Sequence, residues 1–160
     1  MPMNISKRIH RRAAGITLVE SLVALVVISV GMLGIAGLYV ASLQASRAAN
    51  LRVQAVNLAT EMGDRIRANR TGRASYNLAA GALPAVQNCT AICTPAQLAQ
   101  HDQNEWVLAM RAALPGATAN GGSILYVDNP APTPDRYEIT VTWREAGSDV
   151  DGVYRMVMEL

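Results

Sequence analysis

The sequence Gly15-Ile16-Thr17-Leu18-Val19-Glu20 leads directly into a stretch of 26 residues, 21–46, that contains no Asp, Glu, Lys, Arg or His. About 20 helical residues are enough to cross a hydrocarbon core of roughly 30 Å. The charge-free stretch is therefore long enough to span a bilayer, and it predicts a membrane helix over residues 16–46.

Positive charge precedes this apolar block. The first fifteen residues contain four cations, Lys7, Arg8, Arg11 and Arg12, and no acidic residue. By the positive-inside rule we expect the N-terminus in the cytoplasm and most of the chain outside. An ordinary secretory signal peptide has an apolar core of about 7–15 residues, followed by a small-residue cleavage site. Here the small residues Ala13-Ala14-Gly15 come before the apolar block, so such a signal is not expected.

The composition follows from this uneven distribution of charge. Hydrophobic residues make up 51% of the 160 residues and charged residues only 16%, against about 25% charged in typical domains. The net charge of +2 depends on the four leader cations, since the remainder carries 10 basic and 12 acidic residues. This balance does not favour nucleic-acid binding, and the length excludes a large multidomain enzyme.

Glu20 stands at the start of the apolar block, where a charged group is costly. An acidic residue at the centre of a membrane helix costs about 2.5–3.5 kcal/mol, and less near the interface. Cleavage after Gly15 would create an α-amino group on Ile16, which lies at i, i+4 from Glu20 and so on the same helix face. In a packed assembly the carboxylate would instead meet the amino terminus of a neighbouring helix and set the axial register. The alternative is an interfacial Glu20 that reaches the lipid headgroups.

The segment from Gly15 to Glu20 resembles the type III, prepilin-type signal: a basic leader, a glycine, a hydrophobic first mature residue and a glutamate at the fifth mature position. The resemblance implies that prepilin peptidase cuts after Gly15 and that the new amino terminus of Ile16 is methylated. It also implies that Glu20 recruits and registers the subunit in a helical filament. Most members begin the mature chain with Phe, and Ile16 is a less common choice.

Later segments resemble PilV-type minor pilins. The glycine-punctuated run 29–38, the run 59–70 with its Asp-Arg-Ile-Arg-Ala-Asn block, the run 102–116 and the run 139–145 are similar to landmarks of that group. The resemblance implies a type IV pilin-like α+β fold, a long N-terminal helix packed on a small antiparallel sheet. It implies a minor pilin that primes the assembly of a type IV pilus and its tip complex, with roles in adhesion and twitching motility.

The same resemblance implies partners and a location. The partners are prepilin peptidase, other minor pilins, the major pilin, a tip adhesin and the inner-membrane assembly platform. Before assembly the chain is expected in the inner membrane, with one span and a periplasmic head, and after assembly in the pilus at the cell surface.

Three alternatives remain open. A minor pseudopilin of a type II secretion system shares the N-terminal signal, although the block 64–67 disfavours it. A DNA-uptake pilin would need an exposed basic stripe, for which the candidates are Arg65, Arg67, Arg70 and Arg73. The third alternative is an uncleaved single-pass anchor with an unrelated periplasmic domain.

No motif in the sequence indicates catalysis. A Ser-His-Asp arrangement, a Walker loop and a dinucleotide fingerprint are absent from the sequence, and Asp149-x-Asp151-Gly152 is too short for an EF-hand loop. We therefore expect no enzymatic activity, no cofactor and no metal.

Beyond Arg47 the apolar residues follow a helical stripe. They recur at three- and four-residue steps, as Leu51, Ala55, Leu58, Met62 and Ile66, which predicts an amphipathic helical half over 47–71. One helix is expected from Ile16 to about Ala68, with a stop at Thr71-Gly72. Three glycines in the membrane half allow either close helix packing or local melting on transfer from bilayer to filament; they are Gly31, Gly34 and Gly37.

A loop rich in small residues is expected after this helix, and it contains Cys89 and Cys93. Outside the cytoplasm two cysteines predict a disulfide, which would stabilise so small a loop by about 2 kcal/mol. A free or differently paired thiol is the main alternative. A structural zinc site needs four ligands, and outside the leader His101 is the only other Cys or His.

The head, residues 72–160, is predicted to contain one helix and a small sheet. Thr94-Pro95-Ala96-Gln97 has the form of a capping box with proline at the first helical position. We expect the helix to end at Pro115-Gly116 and to break near His101. Trp106 is expected in the core and His101 in solvent.

Three strands are predicted over 123–127, 137–143 and 153–160. Short connections favour an antiparallel meander that packs on the amphipathic half of the long helix. One face of the second strand is expected to meet that helix, namely Tyr137, Ile139, Val141 and Trp143. The other face is expected to point outward, namely Glu138, Thr140, Thr142 and Arg144.

Overall fold

The computed structural model describes residues 17–90, 92–117, 121–145 and 150–160. Helix α1 spans Leu18–Ala68 and is followed by a 3-10 helix over Arg70–Tyr76. Helix α2 spans Pro95–Ala113, and the strands are β1 Gly122–Val127, β2 Arg136–Arg144 and β3 Asp151–Glu159. A long N-terminal helix followed by a small antiparallel sheet is the predicted type IV pilin-like α+β architecture, and the fold class is confirmed.

The chain divides into two compact units, residues 1–41 and residues 42–160. The described part of the first unit is the N-terminal part of α1, and its residues from 17 to 41 are all exposed. By length and composition alone, α1 contains a segment able to cross a membrane. The second unit holds the rest of α1 and all the other helices and strands of the described residues.

In the second unit, α1 contributes one apolar face to the core. The predicted stripe is confirmed, because Ala55, Met62 and Ile66 are fully buried and Leu58 nearly so, while Leu51 packs at its edge. Against this stripe lie buried residues of α2 and of the sheet, including Trp106, Met110, Ile124 and Met158. The indole Nε1 of Trp106 donates to the carbonyl oxygen of Leu58 at 2.8 Å, so the predicted core position of Trp106 is confirmed and ties α2 to α1.

The sheet is an antiparallel meander in the order β1-β2-β3. The predicted inner face of β2 is confirmed, since Tyr137, Ile139, Val141 and Trp143 are all buried. On the opposite face Arg144 is exposed, whereas Glu138, Thr140 and Thr142 are half-buried beneath their neighbours on the sheet. β2 begins one residue earlier than predicted because Arg136 still pairs with Val127 on one side and Glu159 on the other.

The start of α2 agrees with the sequence, but its predicted break does not. The Thr94 Oγ1 accepts from the Gln97 backbone N–H at 3.3 Å and the Gln97 Oε1 accepts from the Thr94 N–H at 2.9 Å, so the capping box is confirmed. The expected break near His101 is wrong, since α2 is continuous over Pro95–Ala113. The three polar residues directly after His101 are buried and bond to other elements; they are Asp102, Gln103 and Asn104.

One further expectation needs correction, and the end of α1 needs a more exact description. His101 is not fully solvated, because it is half-buried and its Nδ1 lies 2.8 Å from the carbonyl oxygen of Gln87. The α-helix ends at Ala68 as expected, and the helical backbone of the segment that follows is interrupted at Arg73 (φ 35°, ψ −115°), directly after the expected stop at Thr71-Gly72, before a second short turn that ends at Tyr76. Gly72 is buried there, and a Cβ at that position would lie 2.8 Å from the Asn69 side chain and the Tyr76 ring.

Candidate functional site

Glu20 lies in the first turn of α1, and Thr17 caps that turn. The Thr17 Oγ1 accepts from the Glu20 backbone N–H at 3.3 Å, and the Thr17 carbonyl accepts from the Ser21 N–H at 3.2 Å. The helix is described from Leu18 onward, and its predicted start at Ile16 lies outside the described residues. A carboxylate in a first helical turn is stabilised by the partial positive charge of the unpaired N–H groups.

The predicted cleavage site lies outside the described residues, which begin at Thr17. Gly15 and Ile16 are therefore not placed, and neither is a contact between the Ile16 amino group and Glu20. Sequence reasoning explained Glu20 through a cationic partner or through contact with the lipid headgroups, and it missed the hydrogen bond to Thr17. The signal was present, because Thr17-x-x-Glu20 has the capping-box spacing just before an apolar run.

The first unit presents an apolar surface with no partner among the described residues. Exposed fractions reach 78% for Leu18, 74% for Leu38 and 69% for Ile35. A Cβ added to Gly31, Gly34 or Gly37 would have nothing within 4 Å. So large an apolar surface is unfavourable in water and marks a segment that contacts lipid or protein. The three glycines would allow another helix to approach the backbone closely.

In the second unit a buried polar network joins the end of α1, the 3-10 helix and α2. The Tyr76 hydroxyl donates to Asp102 Oδ2 at 2.6 Å, and Arg65 Nη1 donates to Asp102 Oδ1 at 3.3 Å. The Asn69 Nδ2 donates to the Tyr76 hydroxyl at 3.2 Å and to the Pro95 carbonyl at 2.8 Å. Burial, together with the bond to Asp102, raises the pKa of Tyr76 well above its usual value. The network fixes the corner between the two helices, and it is a structural feature with bonds already satisfied.

A second network lies at the surface, where Arg73 holds the ends of β1 and β2. Its Nη2 is 2.6 Å from Asp135 Oδ2 and 3.1 Å from Asp128 Oδ1, and its Nε donates to the Tyr126 hydroxyl at 3.1 Å. Although burial opposes it, bonds from Arg73 and Tyr126 lower the pKa of Asp135. Arg73 has φ 35°, a region that non-glycine residues seldom occupy, and these bonds hold it there.

The arginines that were candidates for a basic stripe are largely engaged with carboxylates. Arg65 lies 2.6 Å from Glu61, and Arg67 lies 2.8 Å from Asp64. With Arg73 bound to two aspartates, only Arg70 of the four has no ion pair among the described residues. This pairing removes most of the positive potential that a DNA backbone would need.

The structure joins Cys89 and Cys93 in a disulfide, with Cα atoms 5.7 Å apart. The bridge lies just before Thr94, the cap of α2, and closes a surface loop in which Ile92 is fully exposed. No group of three or more potential metal ligands occurs in the ranges that the structure describes.

Two family models match the chain on adjoining segments. Residues 10–36 match the prokaryotic N-terminal methylation motif. Residues 37–104 match the Tt1218-like family, described as type IV pilin Tt1218. Curated proteins and solved structures gave no significant match.

Each of the two matches covers a different set of the features described above. The first contains Gly15, Ile16 and Glu20, and the second runs through the end of α1 to the Asp102 network and the disulfide. Neither model distinguishes a PilV-type subunit from other pilins. The chain is therefore similar to type IV pilins, with a prokaryotic N-terminal methylation motif at residues 10–36 and a Tt1218-like pilin segment directly after it.

Proposed function

We propose that the chain is a minor pilin of a type IV pilus, of the PilV type. The observation that carries this proposal is the N-terminal helix. Its surface is apolar and exposed, Glu20 lies in its first turn, and the segment matches the N-terminal methylation motif. Such a surface needs an apolar environment, which lipid supplies before assembly and the packed helices of other subunits supply afterwards.

In this proposal each segment has a separate task. Residues 1–15 form a leader that prepilin peptidase removes by cutting after Gly15, and the new amino terminus of Ile16 is methylated. Residues 16–46 form the transmembrane and filament-core helix, 47–71 its amphipathic half and 72–160 the head. The amino group created on Ile16, or that of a neighbouring subunit, neutralises Glu20 and sets the axial register in the filament.

The proposed partners follow from these tasks. They are prepilin peptidase, the inner-membrane assembly platform, the major pilin, other minor pilins and, at the tip, an adhesin. Before assembly the subunit spans the inner membrane once, with a cytoplasmic N-terminus and a periplasmic head, and afterwards it lies in the pilus at the cell surface. The part it plays is structural, namely to prime assembly of the pilus and its tip, and thereby adhesion and twitching motility.

DNA uptake receives less support than this role. Three of the four arginines of the candidate stripe hold carboxylates in the described residues. A DNA-binding head would instead need cations left free for phosphates.

The direct test is the mass of the mature N-terminus. Mass spectrometry of the protein from membranes and from pili is expected to show Ile16 as the first residue, carrying one methyl group. A Gly15→Glu variant, which puts a large charged side chain in place of the glycine at the proposed cut, is expected to stay uncleaved in the membrane. An intact Met1 in assembled pili, or a first residue beyond Gly37, would contradict the proposal.

A further inference from the structure

β1 and β3 form the two edges of the sheet, and among the described residues another segment of the chain covers only the β1 edge. On the outer side of β1, Leu78 and Ile124 exchange two backbone hydrogen bonds, of 2.8 and 2.9 Å. The Tyr126 N–H on the same side donates to Asn77 Oδ1 at 3.3 Å. The segment that follows the 3-10 helix thus covers this edge and blocks further strand pairing.

The opposite edge, β3, has no such cover in the described residues. β3 pairs with β2 through nine consecutive residues without a bulge, and it contains no proline. In the part of the chain that the structure describes, no backbone hydrogen bond reaches β3 from the side away from β2. Natural sheets usually interrupt or cover an edge strand of this length, because its free backbone groups pair with other strands.

The hydrogen bonds show which residues of β3 direct their backbone outward. The Leu160 N–H donates to the Asp135 carbonyl at 3.0 Å. In an antiparallel pair, bonded and non-bonded positions alternate, so the even-numbered residues of β3 bond to β2. The odd-numbered residues direct their N–H and C=O groups away from the sheet; they are Asp151, Val153, Arg155, Val157 and Glu159. Their side chains lie on the exposed face, and Val153 and Val157 are 57% and 52% exposed.

The order of these outward residues favours pairing with a copy of itself. If two β3 strands run antiparallel about Val157, the two Val157 residues oppose each other and Arg155 opposes Glu159 twice. If the centre is Arg155, two arginines oppose each other and Asp151 opposes Glu159, and like charges directly opposite are destabilising.

A centre at Val153 would oppose Arg155 and Asp151. However, Asp151 already lies 3.4 Å from Arg144, whereas Glu159 has no ion pair among the described residues. Arg155 contacts Glu138 at 3.1 Å and is 60% exposed in its side chain, so its remaining N–H groups face solvent. Centres at Tyr154 or Met156 oppose Arg155 to a valine and pair no opposite charges. The Val157-centred register therefore has the best charge complementarity.

We infer that the outer edge of β3 is an interaction surface for a second copy of this chain, which adds its own β3 antiparallel in the register that opposes Val157 to Val157. Three opposed pairs of outward residues exchange about six backbone hydrogen bonds in this arrangement. The inference concerns the head alone and is independent of the proposed cleavage, pilus and partners.

The register is tested with one introduced cysteine at a time in the full-length protein in lipid vesicles. In a bonded antiparallel pair the Cα atoms lie about 5.5 Å apart, within the range of about 4.4–6.8 Å for disulfides. Val157→Cys is therefore expected to give a reducible dimer under mild oxidation. Val153→Cys is the matched control, equally exposed on the same strand. In this register its two copies lie roughly 27 Å apart at about 3.4 Å per residue, and no cross-link is expected.

Charge reversal tests the complementarity. Arg155→Glu and Glu159→Arg each place like charges opposite each other twice, and each is expected to reduce Val157→Cys cross-linking roughly tenfold. The double variant restores the opposite charges and is expected to restore cross-linking. Near-ultraviolet circular dichroism shows that each variant keeps its fold.

Three results would overturn the inference. Equal cross-linking through positions 153 and 157 would indicate random collision, and stronger cross-linking through 153 would indicate the other register. Failure of the double reversal to rescue a folded protein would show that Arg155 and Glu159 do not meet. If Val157→Cys cross-links to a strand of a different protein, while two copies of the chain do not cross-link to each other, the edge binds a different partner.

Discussion

The position of the Glu20 carboxylate in the first turn of α1 is favourable in itself, because the unpaired N–H groups of that turn carry partial positive charge. The sequence predicts that this carboxylate costs free energy in a membrane, because it lies beside 26 uncharged residues. Its place in the first turn, with Thr17 as the cap, came from the structure. Residue chemistry alone therefore singled out Glu20 as the proposed registration residue but did not predict its local geometry, because the Thr-x-x-Glu spacing is compatible with both a cap and a continuous helix.

Replacing Glu20 with Gln tests the proposed registration. Insertion into the membrane is expected to persist, because a neutral amide is cheaper than a carboxylate near hydrocarbon. Incorporation into pili is expected to fall more than about a hundredfold, since a buried ammonium left without its partner costs about 3–5 kcal/mol. Immunoblots of sheared pili and of membranes measure both. Glu61→Gln is the control, because Glu61 is exposed and, among the described residues, forms its ion pair with Arg65 alone. Normal incorporation of the Glu20 variant would refute registration.

Two buried phenols make stability sensitive to alkali. Burial, with the nearby Tyr126 and Asp135, raises the pKa of Tyr137 to about 12, and burial with the Asp102 bond raises that of Tyr76. Because the folded state holds these protons more tightly than the unfolded state, in which the pKa is near 10, their contribution is complete below pH 10. It is lost as the pH rises from there toward 12.

Phenolate absorbance and near-ultraviolet circular dichroism, followed together across this range, check this expectation. Two of the five tyrosines are expected to ionise only as tertiary structure is lost, and Tyr76→Phe and Tyr137→Phe are each expected to remove one of these late protons. Ionisation of all five near pH 10 with the tertiary signal unchanged would show the expectation to be wrong.

At the scale of elements, the sequence was most informative where one physical signal dominated. Apolar residues at three- and four-residue steps identified the buried stripe of α1, and strict alternation identified the inner face of β2. The 3-10 helix after Asn69 was not predictable, because its formation depends on contacts between Tyr76, Asn69 and α2 that are distant in sequence. The false break near His101 has the same origin, since Asp102, Gln103 and Asn104 weaken a helix until their side chains find tertiary partners.

The pairing of β2 with β3 depends on a glycine opposite an aromatic ring. Gly152 is the register partner of Trp143, and a Cβ there would lie 2.7 Å from the indole Nε1. Trp143 is 1% exposed and has no room to move away. Gly152→Ala is therefore expected to lower the free energy of unfolding by about 1–3 kcal/mol, as overpacking does in other cores.

Thermal unfolding followed by tryptophan fluorescence measures this loss, because both tryptophans are buried in the head. Gly34→Ala is the glycine control, since a Cβ there meets nothing within 4 Å, and it is expected to leave that transition unchanged. Equal stability of the two variants would mean that the sheet adjusts at Trp143.

At the scale of the whole molecule, a long run of uncharged residues is not enough by itself to identify a membrane segment. Residues 74–101 also contain no Asp, Glu, Lys or Arg, yet they form the end of the 3-10 helix, a surface loop and the start of α2. The difference lies in the residues between, because prolines and amides in 74–101 prevent one long apolar helix, whereas Leu, Val and Ile in 21–46 allow it. In the proposed topology the four cations among residues 1–15 assign a direction to that helix, which the fold of the head does not.

The proposed orientation depends on these cations, and the Cys89–Cys93 disulfide reports on it. Changing Lys7, Arg8, Arg11 and Arg12 together to Glu is expected to leave many chains with the head in the cytoplasm, because positive charge beside the first membrane helix holds its end inside. Disulfides are rare in that compartment, so Cys89 and Cys93 of those chains would be reduced. Acid trapping followed by a thiol-specific mass tag measures their fraction. Arg47→Glu with Arg52→Glu, on the other side of the charge-free stretch 21–46, is expected to keep the disulfide oxidised. A fully oxidised pair in the leader variant would show that something other than leader charge orients the chain.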